Sequence, residues 1–560
     1  MASPVRSSNA IALTRLSALT ASPQPAARDG FAEAELAPRQ RLSSALTASR
    51  TPFGYWIVGL FVVGLAARYA LYVSPFGTFD SDEAIGGLMA RALLEGHPTI
   101  FYWGQAYGGP FETWLAAPIV WLFGSTPLSL RIVPICLSAV TAILVWRVGL
   151  RTIDRPGALI AASLVWFFPT SLLWRTTNSY VIYAGATMLG VAVVLQVLRV
   201  WASPSRVGFF LLGLLSGFAL WQSFQLATII PTAIVWLLIR RSSLVRSLPV
   251  YLAGAAVGFL PVIVSNVRND WWSRDIGHYG NELSYMGRLG QFFTNALPLA
   301  FDLRVPVALD WFLWKPVALL LYALVLVALL WRGWSRRGRE TQPATELLLA
   351  ILIAFPFIWA VSPLTTFSLT AGYVVVLVPV LLLGACAFVR TEGQAIVISV
   401  LALAFLAHSF VGLGVVVRQS GKTYPQSFYG DRKRPGDTES VIEALDRLGI
   451  RRVYAGYWIA NNITYLSGGT IIAADMRPEA LRTTTAGIVV PLPNDLDFRS
   501  RHPSFAVEVA KVAAPAFVLA KAFDPPTTDY RAFEDARYQS QQVGPYTIFH
   551  RGAASRGTGR

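Results

Sequence analysis

The sequence predicts a polytopic α-helical membrane protein of about eleven spans, followed by a small C-terminal α/β domain. Of the 560 residues, 54% are hydrophobic and only 14% are charged, and the mean hydropathy is +0.50. A soluble chain carries about 25% charged residues. Several apolar runs reach the roughly 20 residues that cross about 30 Å of hydrocarbon. An ordinary soluble protein is therefore excluded.

The net charge of +16 does not indicate a nucleic-acid partner. The arginines stand at the ends of apolar runs, where basic residues stay on the cytoplasmic side of a membrane. Cys136 and Cys386 both lie inside apolar runs, so we expect no structural disulfide. The partners predicted from composition are membrane lipids.

The spans follow from the lengths of the apolar runs. The run 113–123 (TWLAAPIVWLF) is too short to cross. Treating it as a span would move the next arginine cluster to the face opposite the N-terminal tail and invert every later loop. We therefore interpret it as an interfacial helix. The pair 207–221 and 224–239 could also form one bent helix. The predicted spans are 53–73, 129–149, 157–174, 179–198, 207–221, 224–239, 248–265, 311–331, 344–361, 370–389 and 394–416.

This topology divides the chain into four parts. Residues 1–50 are rich in Ala, Ser, Pro and Arg and are predicted to form a disordered cytoplasmic tail. Residues 51–418 form the membrane domain, with external loops 74–128 and 266–310, and residues 551–560 form a second disordered tail. Residues 422–550 form an external α/β domain, in which DTESVIEALDRLG predicts a helix with Asp437 or Thr438 at its N-cap and Gly449 at its end.

The first external loop contains three acidic residues, Asp80, Asp82 and Glu83, within four positions. One explanation is a helix start, where a capping side chain and first-turn acids are favoured. The other is catalysis, in which a carboxylate takes a proton from an acceptor hydroxyl. The acids could also bind Mg²⁺ or Mn²⁺, although no cofactor is certain. We predict Asp82 and Glu83 as catalytic residues, and Asp80 as a cap or substrate contact.

Polar and aromatic residues later in the same loop are candidate substrate ligands. Tyr102, Trp103, Gln105 and Tyr107 fit sugar recognition, and they fit a membrane-interface belt equally well. Glu112 follows them in the loop. A phosphate leaving group also needs a nearby cation, and the spacing does not choose among the candidates Arg91, Arg131, Arg175, Arg268 and Arg274.

This loop resembles the first external loop of the GT-C membrane glycosyltransferases. The nearest branch is the one related to protein O-mannosyltransferases and to the lipid A aminoarabinose transferase. The matching segments are Asp82-Glu83-Ala84, Leu93-Leu94-Glu95-Gly96, Tyr102-Trp103-Gly104-Gln105-Ala106-Tyr107-Gly108-Gly109, Glu112, Leu122-Phe123-Gly124 and Leu130-Arg131-Ile132-Val133-Pro134; in the external domain they are Gly456-Tyr457-Trp458-Ile459-Ala460 and Tyr465-Leu466-Ser467-Gly468.

The resemblance implies a GT-C-like fold and an inverting transferase of a hexosyl or pentosyl group. The donor would be a polyprenyl-phosphate-linked sugar and the acceptor a lipid, glycan or protein, at the outer face of the cytoplasmic membrane. Asp82 would act as base or cation ligand. Two departures stand out. Relatives often carry a second aspartate in the second external loop, where this chain has Arg175-Thr176-Thr177-Asn178. Many relatives also carry an Arg-Tyr pair at the start of a late span, whereas Ala371-Gly372-Tyr373 of this chain has only the tyrosine.

Two other classes of function are open to the sequence. A lipid-linked glycan transporter or flippase should carry ionisable residues inside its spans, whereas His408 is nearly alone there. That observation favours an enzyme. A non-enzymatic scaffold for envelope assembly would leave Asp82, Glu83 and Gln105 replaceable without loss of function.

Overall fold

The computed structural model describes residues 52–274, 283–306, 310–314, 316–338, 342–366, 372–420, 424–425, 433–434, 436–476, 482–484, 487–489, 502–521, 524, 528 and 530–551. The predictions for the tail 1–50 and for residues 552–560 lie outside this part of the chain. The chain divides into two compact units, residues 1–58 and residues 59–560. In the first unit the described residues, 52–58, are helical.

Seventeen helices are described in the membrane domain and its loops. They are α1 (Pro52–Val73), α2 (Ser81–Leu94), α3 (Phe111–Phe123), α4 (Pro127–Thr152), α5 (Arg155–Phe167), α6 (Thr170–Arg175), α7 (Tyr183–Ala202), α8 (Arg206–Gln222), α9 (Ile230–Arg240), α10 (Leu248–Gly258), α11 (Leu260–Arg268), α12 (Tyr285–Gln291), α13 (Leu297–Ala300), α14 (Pro316–Ser335), α15 (Gln342–Trp359), α16 (Val378–Ala385) and α17 (Glu392–Ser420).

The predicted span count is confirmed in part. Among the described residues, five helices are long and apolar enough to cross a membrane, namely α1, α4, α7, α14 and α17. A sixth span would consist of residues 242–258 together with α11, which meet at a bend of 63°. Each remaining predicted span contains a shorter apolar helix.

Prolines explain why several predicted spans are broken. The span predicted at 157–174 divides at Pro169 into α5 and α6, and Phe168 before it is extended, as a residue before proline prefers. Pro231, Pro261 and Pro379 each stand in the first turn of a helix, where the missing N–H costs nothing. The predicted division between 207–221 and 224–239 is confirmed, because α8 ends at Gln222 and a 3₁₀ turn follows.

Helix α3 has the dimensions expected of an interfacial helix. Its 13 residues extend for about 20 Å at 1.5 Å per residue, which is less than the hydrocarbon thickness. Trp121, Leu122 and Phe123 at its end are more than 60% exposed. Since apolar side chains of this size are exposed together, this end of α3 is suited to contact with lipid.

Nine strands are described in the C-terminal region. Two short pairs consist of β1 (Tyr424–Pro425) with β2 (Lys433–Arg434) and β5 (Arg482–Thr484) with β6 (Gly487–Val489), and the other five form one mixed sheet: β3 (Arg452–Gly456), β4 (Ile472–Met476), β7 (Ala516–Leu519), β8 (Gln539–Val543) and β9 (Tyr546–His550). The order in this sheet is β4-β3-β7-β9-β8. Strand β3 is parallel to β4 and β7, and β9 is antiparallel to β7 and β8.

Helices cover this sheet and bury its apolar side chains. They are α18 (Thr438–Arg447), α19 (Tyr457–Leu466), α20 (Pro503–Ala510) and α21 (Arg531–Asp535). The predicted cap of α18 is confirmed, because the Asp437 side chain accepts a hydrogen bond from the Ser440 N–H. Gly449 follows the end of α18 with a φ of 69°, where a glycine is favoured. Val453, Ile463 and Val518 are fully buried between the helices and the sheet.

Candidate active site

The acidic cluster begins helix α2, and its three side chains have three different environments. Asp80 is the N-cap, and its Oδ1 accepts a hydrogen bond from the Glu83 N–H at 3.0 Å. The capping interpretation of Asp80 is therefore right. Successive helical residues point about 100° apart, because one turn takes 3.6 residues. Asp82 and Glu83 consequently face different neighbours.

Glu83 faces inward and forms a buried ion pair with Arg131 of α4. The Arg131 Nε and Nη2 donate to the two carboxylate oxygens at 2.8 and 2.6 Å, and both side chains are at most 1% exposed. The Ser179 N–H donates to Glu83 Oε2 at 2.8 Å. Burial raises the pKa of Glu83, and the Arg131 guanidinium opposes that shift. The contact joins the first loop, α4 and the second external loop.

Asp82 is half-buried and faces the external domain. The Tyr457 hydroxyl at the start of α19 donates to Asp82 Oδ1 at 2.6 Å. From the other side, the Tyr102 hydroxyl donates to the Asp82 carbonyl oxygen at 2.8 Å. Two tyrosines from distant parts of the chain therefore hold this residue.

A cluster of tyrosines surrounds Arg175. The Arg175 guanidinium carbon lies 4.7 Å from the ring centre of Tyr180 and 4.6 Å from that of Tyr183. The Tyr183 and Tyr373 rings are 6.5 Å apart in an edge-to-face arrangement. Tyr373 interacts electrostatically with Arg175, Tyr107 and Asp82. The structure therefore brings together four of the predicted site residues.

Helix α6, which ends at Arg175, is held at both ends by buried charges. The Asp302 carboxylate accepts hydrogen bonds from the Thr170 N–H and hydroxyl at 2.8 to 3.0 Å. Burial raises the pKa of Asp302 to about 7, against the effect of these bonds. Arg68 of α1 donates to the Thr176 carbonyl oxygen at 2.9 Å and to the Thr177 hydroxyl at 2.9 Å. The Asp302 oxygens accept from the free N–H at the start of this short helix, and Arg68 donates to a carbonyl oxygen just after its end.

Arg68 and Asp302 were missed by the sequence reasoning. A signal for Arg68 was present, because an arginine inside an apolar span is rare and usually faces the protein interior. Asp302 had no distinguishing pattern in its loop. Its partner Thr170 is 132 residues away in the chain.

The polar and aromatic segment after α2 contacts the external domain. The Trp103 ring lies 4.3 Å from the His502 ring, which also packs on Phe505. Burial lowers the pKa of His502 to about 4, so this histidine is neutral near pH 7. Gln105 donates its backbone N–H to the Tyr102 carbonyl oxygen at 3.1 Å and closes a turn. Trp103 is thus a docking residue as well as a candidate ligand.

Glu112 is buried at the start of α3, against α7. Its Oε1 accepts the Gly185 N–H at 2.8 Å. Gln222 at the end of α8 braces the same region, because it accepts the Phe111 N–H at 3.2 Å. Burial raises the pKa of Glu112 from its ordinary value of 4.5 to about 7. The structure therefore places Glu112 in the contact between helices α3 and α7 of the same chain.

The described residues do not form a metal site. Within that part of the chain, no group of three or more His, Cys, Asp or Glu side chains could hold a metal ion. Both oxygens of Glu83 accept hydrogen bonds from Arg131. Glu83 is therefore engaged by Arg131 and does not supply the second carboxylate of the expected Mg²⁺ or Mn²⁺ site.

Comparison with known proteins gives a family match over part of the chain and a shared fold. Residues 107–266 match the family model of dolichyl-phosphate-mannose-protein mannosyltransferases. This region contains Glu112, Arg131 and Arg175 and begins after Asp82. No curated protein sequence matches significantly.

Two solved structures share the fold over nearly the whole chain. ArnT from Cupriavidus metallidurans bound to undecaprenyl phosphate is 13% identical with a TM-score of 0.54, covering 90% of this chain and 99% of its own. The same protein in the apo state is 12% identical with a TM-score of 0.52, covering 89% and 98%. Residues 107–266 are thus similar to the protein mannosyltransferases, and the chain as a whole shares its fold with ArnT. The resemblance seen in the first loop is confirmed.

The Glu83–Arg131 pair predicts a large loss of stability when one partner is removed. Arg131→Met leaves Glu83 buried without its cation, so the free energy of unfolding should fall by about 3–5 kcal/mol. Denaturant unfolding in detergent micelles measures the change. The control Arg451→Met breaks an exposed pair with Asp446 and should cost less than about 1 kcal/mol. Equal stability of the two variants would contradict the role given to Arg131.

The environment of Glu112 predicts a pH-dependent stability. Its pKa rises on folding, so the folded chain binds more protons than the unfolded chain between pH 4.5 and about 7. The free energy of unfolding should therefore fall as pH rises through this window, by on the order of 3 kcal/mol. Glu112→Gln should remove that part of the slope, and the exposed Glu439→Gln should retain it. If the free energy of unfolding of Glu112→Gln depends on pH as steeply as that of the native chain, Glu112 is not the group that causes the slope.

Proposed function

We propose that this protein transfers a hexosyl or pentosyl group, with inversion, from a polyprenyl-phosphate-linked donor to an acceptor hydroxyl of a lipid, glycan or protein. The reaction takes place at the outer face of the cytoplasmic membrane. The N-terminus is cytoplasmic and the C-terminal domain is external, as the arginine distribution favours. ArnT, which has this fold, was solved with undecaprenyl phosphate, and that supports a lipid phosphate as ligand.

The observation that carries the proposal is a carboxylate and a cation in the same group of polar residues. Tyr373 interacts electrostatically with both Asp82 and Arg175. All three side chains are partly exposed, although most of their neighbours in sequence are buried. A transfer reaction requires this combination, because a base must act on the acceptor while positive charge stabilises the leaving phosphate.

The proposed reaction is one displacement at the anomeric carbon. The acceptor hydroxyl gives its proton to Asp82 as its oxygen bonds to the anomeric carbon. The bond from that carbon to the phosphate oxygen breaks, and its electron pair leaves with the polyprenyl phosphate. Attack opposite the leaving group inverts the configuration. Arg175, with Tyr183 and Tyr373, stabilises the charge that develops on the phosphate.

Arg175 also accounts for the two departures from the family pattern. Relatives often carry an aspartate in the second external loop and an arginine before the late tyrosine. Here the arginine is in the second loop, and it packs on the Tyr183 ring, which also contacts Tyr373 edge to face. We propose that Arg175 supplies the phosphate-binding cation from this different position, and that Asp82 is the only acidic base. Tyr107 and Gln105 remain candidate sugar ligands.

The proposal predicts that Asp82→Asn abolishes transfer while the protein still accumulates in membranes. Loss of the base should lower the rate by about 10²–10⁴-fold. Transfer of a radiolabelled sugar from defined polyprenyl-phosphate donors in purified membranes measures it, with and without a chelator. The control Asp446→Asn removes an exposed carboxylate of the external domain and should retain full activity. Full activity of Asp82→Asn contradicts the base assignment.

The same assay distinguishes the other classes of function. Absence of transfer from every donor, together with movement of the labelled lipid between leaflets of proteoliposomes, would favour a flippase. Loss of activity in chelator that returns with Mg²⁺ or Mn²⁺ would mean that a metal contributes to the reaction.

A further inference from the structure

We infer that Tyr457 of the external domain is a positioning residue for Asp82, so that docking of this domain completes the active site. The inference rests on the proposed function, because it assigns Tyr457 a role in that reaction. It adds a residue from the C-terminal domain, 375 positions away from Asp82 in the chain. The role would make activity depend on how the external domain is seated.

The chain places Tyr457 at a well-defined point of the external domain. Strand β3 ends at Gly456, whose extended backbone turns directly into α19. Tyr457 is the first residue of that helix, at the sheet edge where β3 ends. A side chain anchored between a central strand and a buried helix has little freedom to move. The domain therefore presents the Tyr457 hydroxyl at a fixed position.

Polar contacts hold α19 against the beginning of α2. Asn461 donates to the Ser81 hydroxyl at 3.1 Å, and that hydroxyl donates to the Tyr457 carbonyl oxygen. Asn462 donates to the Phe79 carbonyl oxygen at 3.1 Å. Each of these bonds lies within three residues of Asp82, and each needs a definite orientation. Together they fix the seating of α19 on this part of the first loop.

Close packing at the other end of α19 limits its rotation. Tyr465 is fully buried and lies over Gly87, where an added Cβ would be only 2.3 Å from a Tyr465 ring carbon. A glycine in the middle of α2 thus permits this approach. Contacts at both ends of α19 thus hold this helix against α2, and the Tyr457 hydroxyl donates to Asp82 Oδ1.

The hydrogen bond from Tyr457 has two chemical effects on Asp82. It fixes the rotation of the carboxylate, which a base needs in order to meet the acceptor hydroxyl in line. It also favours the ionised form, because a hydroxyl that donates to a carboxylate lowers its pKa. Other charged or titratable groups near Asp82 include its helix neighbours Asp80 and Glu83, Tyr102, whose hydroxyl bonds to the Asp82 carbonyl oxygen, and Tyr373, which interacts electrostatically with Asp82 and Arg175.

The test compares Tyr457→Phe with the native chain in the sugar-transfer assay from pH 4 to 9. We expect kcat to fall about tenfold while the KM for the donor stays within a factor of two. The acidic limb of kcat/KM should move up by about one pH unit, because the loss of this donor raises the pKa of Asp82. The control Tyr465→Phe loses a hydroxyl at the same interface, which bonds to the Thr126 carbonyl oxygen instead. Its acidic limb should not move.

A second measurement separates this inference from the proposed function. Melting temperatures of Tyr457→Phe, of Asp82→Ala, which removes the acceptor oxygen, and of the double variant form a cycle that needs no activity. We expect the double variant to lose less than the sum of the two single losses. The role of Tyr457 is overturned if the losses in melting temperature of the two single variants add up strictly. It is also overturned if the enzyme is active and the acidic limb of its kcat/KM profile is the same in Tyr457→Phe as in the native chain. Non-additive losses without transfer from any donor would overturn the proposed function and the positioning role, and leave only a structural contact.

Discussion

The buried ion pair between Glu83 and Arg131 is the contact on which the geometry of the site depends. It joins α2 to α4, and the Ser179 N–H adds the second external loop. Such a pair adds little net stability, since two charges must leave water to form it. Its effect is on conformation, because any arrangement that separates the partners leaves a charge buried alone. With Glu83 held inward, the neighbouring Asp82 is turned toward the external domain and the tyrosine cluster.

The position of Arg175 depends on two further buried side chains, Arg68 and Asp302. Helix α6 has only six residues, and a helix of this length is not stable alone. The Asp302 carboxyl accepts a hydrogen bond from the first residue of α6, and Arg68 donates to the carbonyl oxygen of the residue after its last one. These bonds at both ends stabilise a helix that is too short to be stable alone. Arg175 is the last residue of this helix. Residues far from the reacting groups therefore set the position of Arg175.

Composition and periodicity predicted the membrane class, the short helix α3 and the cap at Asp437, because these depend on local patterns. The same patterns placed Asp80 at a helix start. They could not separate the roles of Asp82 and Glu83, since that depends on Arg131 and Tyr457, which are distant in sequence. They also treated 157–174 as one span, although Pro169 divides it. The acidic cluster could be predicted to begin a helix from the sequence, but the partners of Asp82 and Glu83 required the fold.

The central claim is that Arg175 holds the lipid phosphate beside Asp82, and equilibrium binding of undecaprenyl phosphate to purified protein in nanodiscs tests it most directly. Arg175→Gln removes the cation and should weaken binding at least about tenfold, equivalent to 1.4 kcal/mol. Arg274→Gln changes an arginine that packs on Trp271 in another external loop, and it should bind like the native chain. Native affinity in Arg175→Gln would contradict the account.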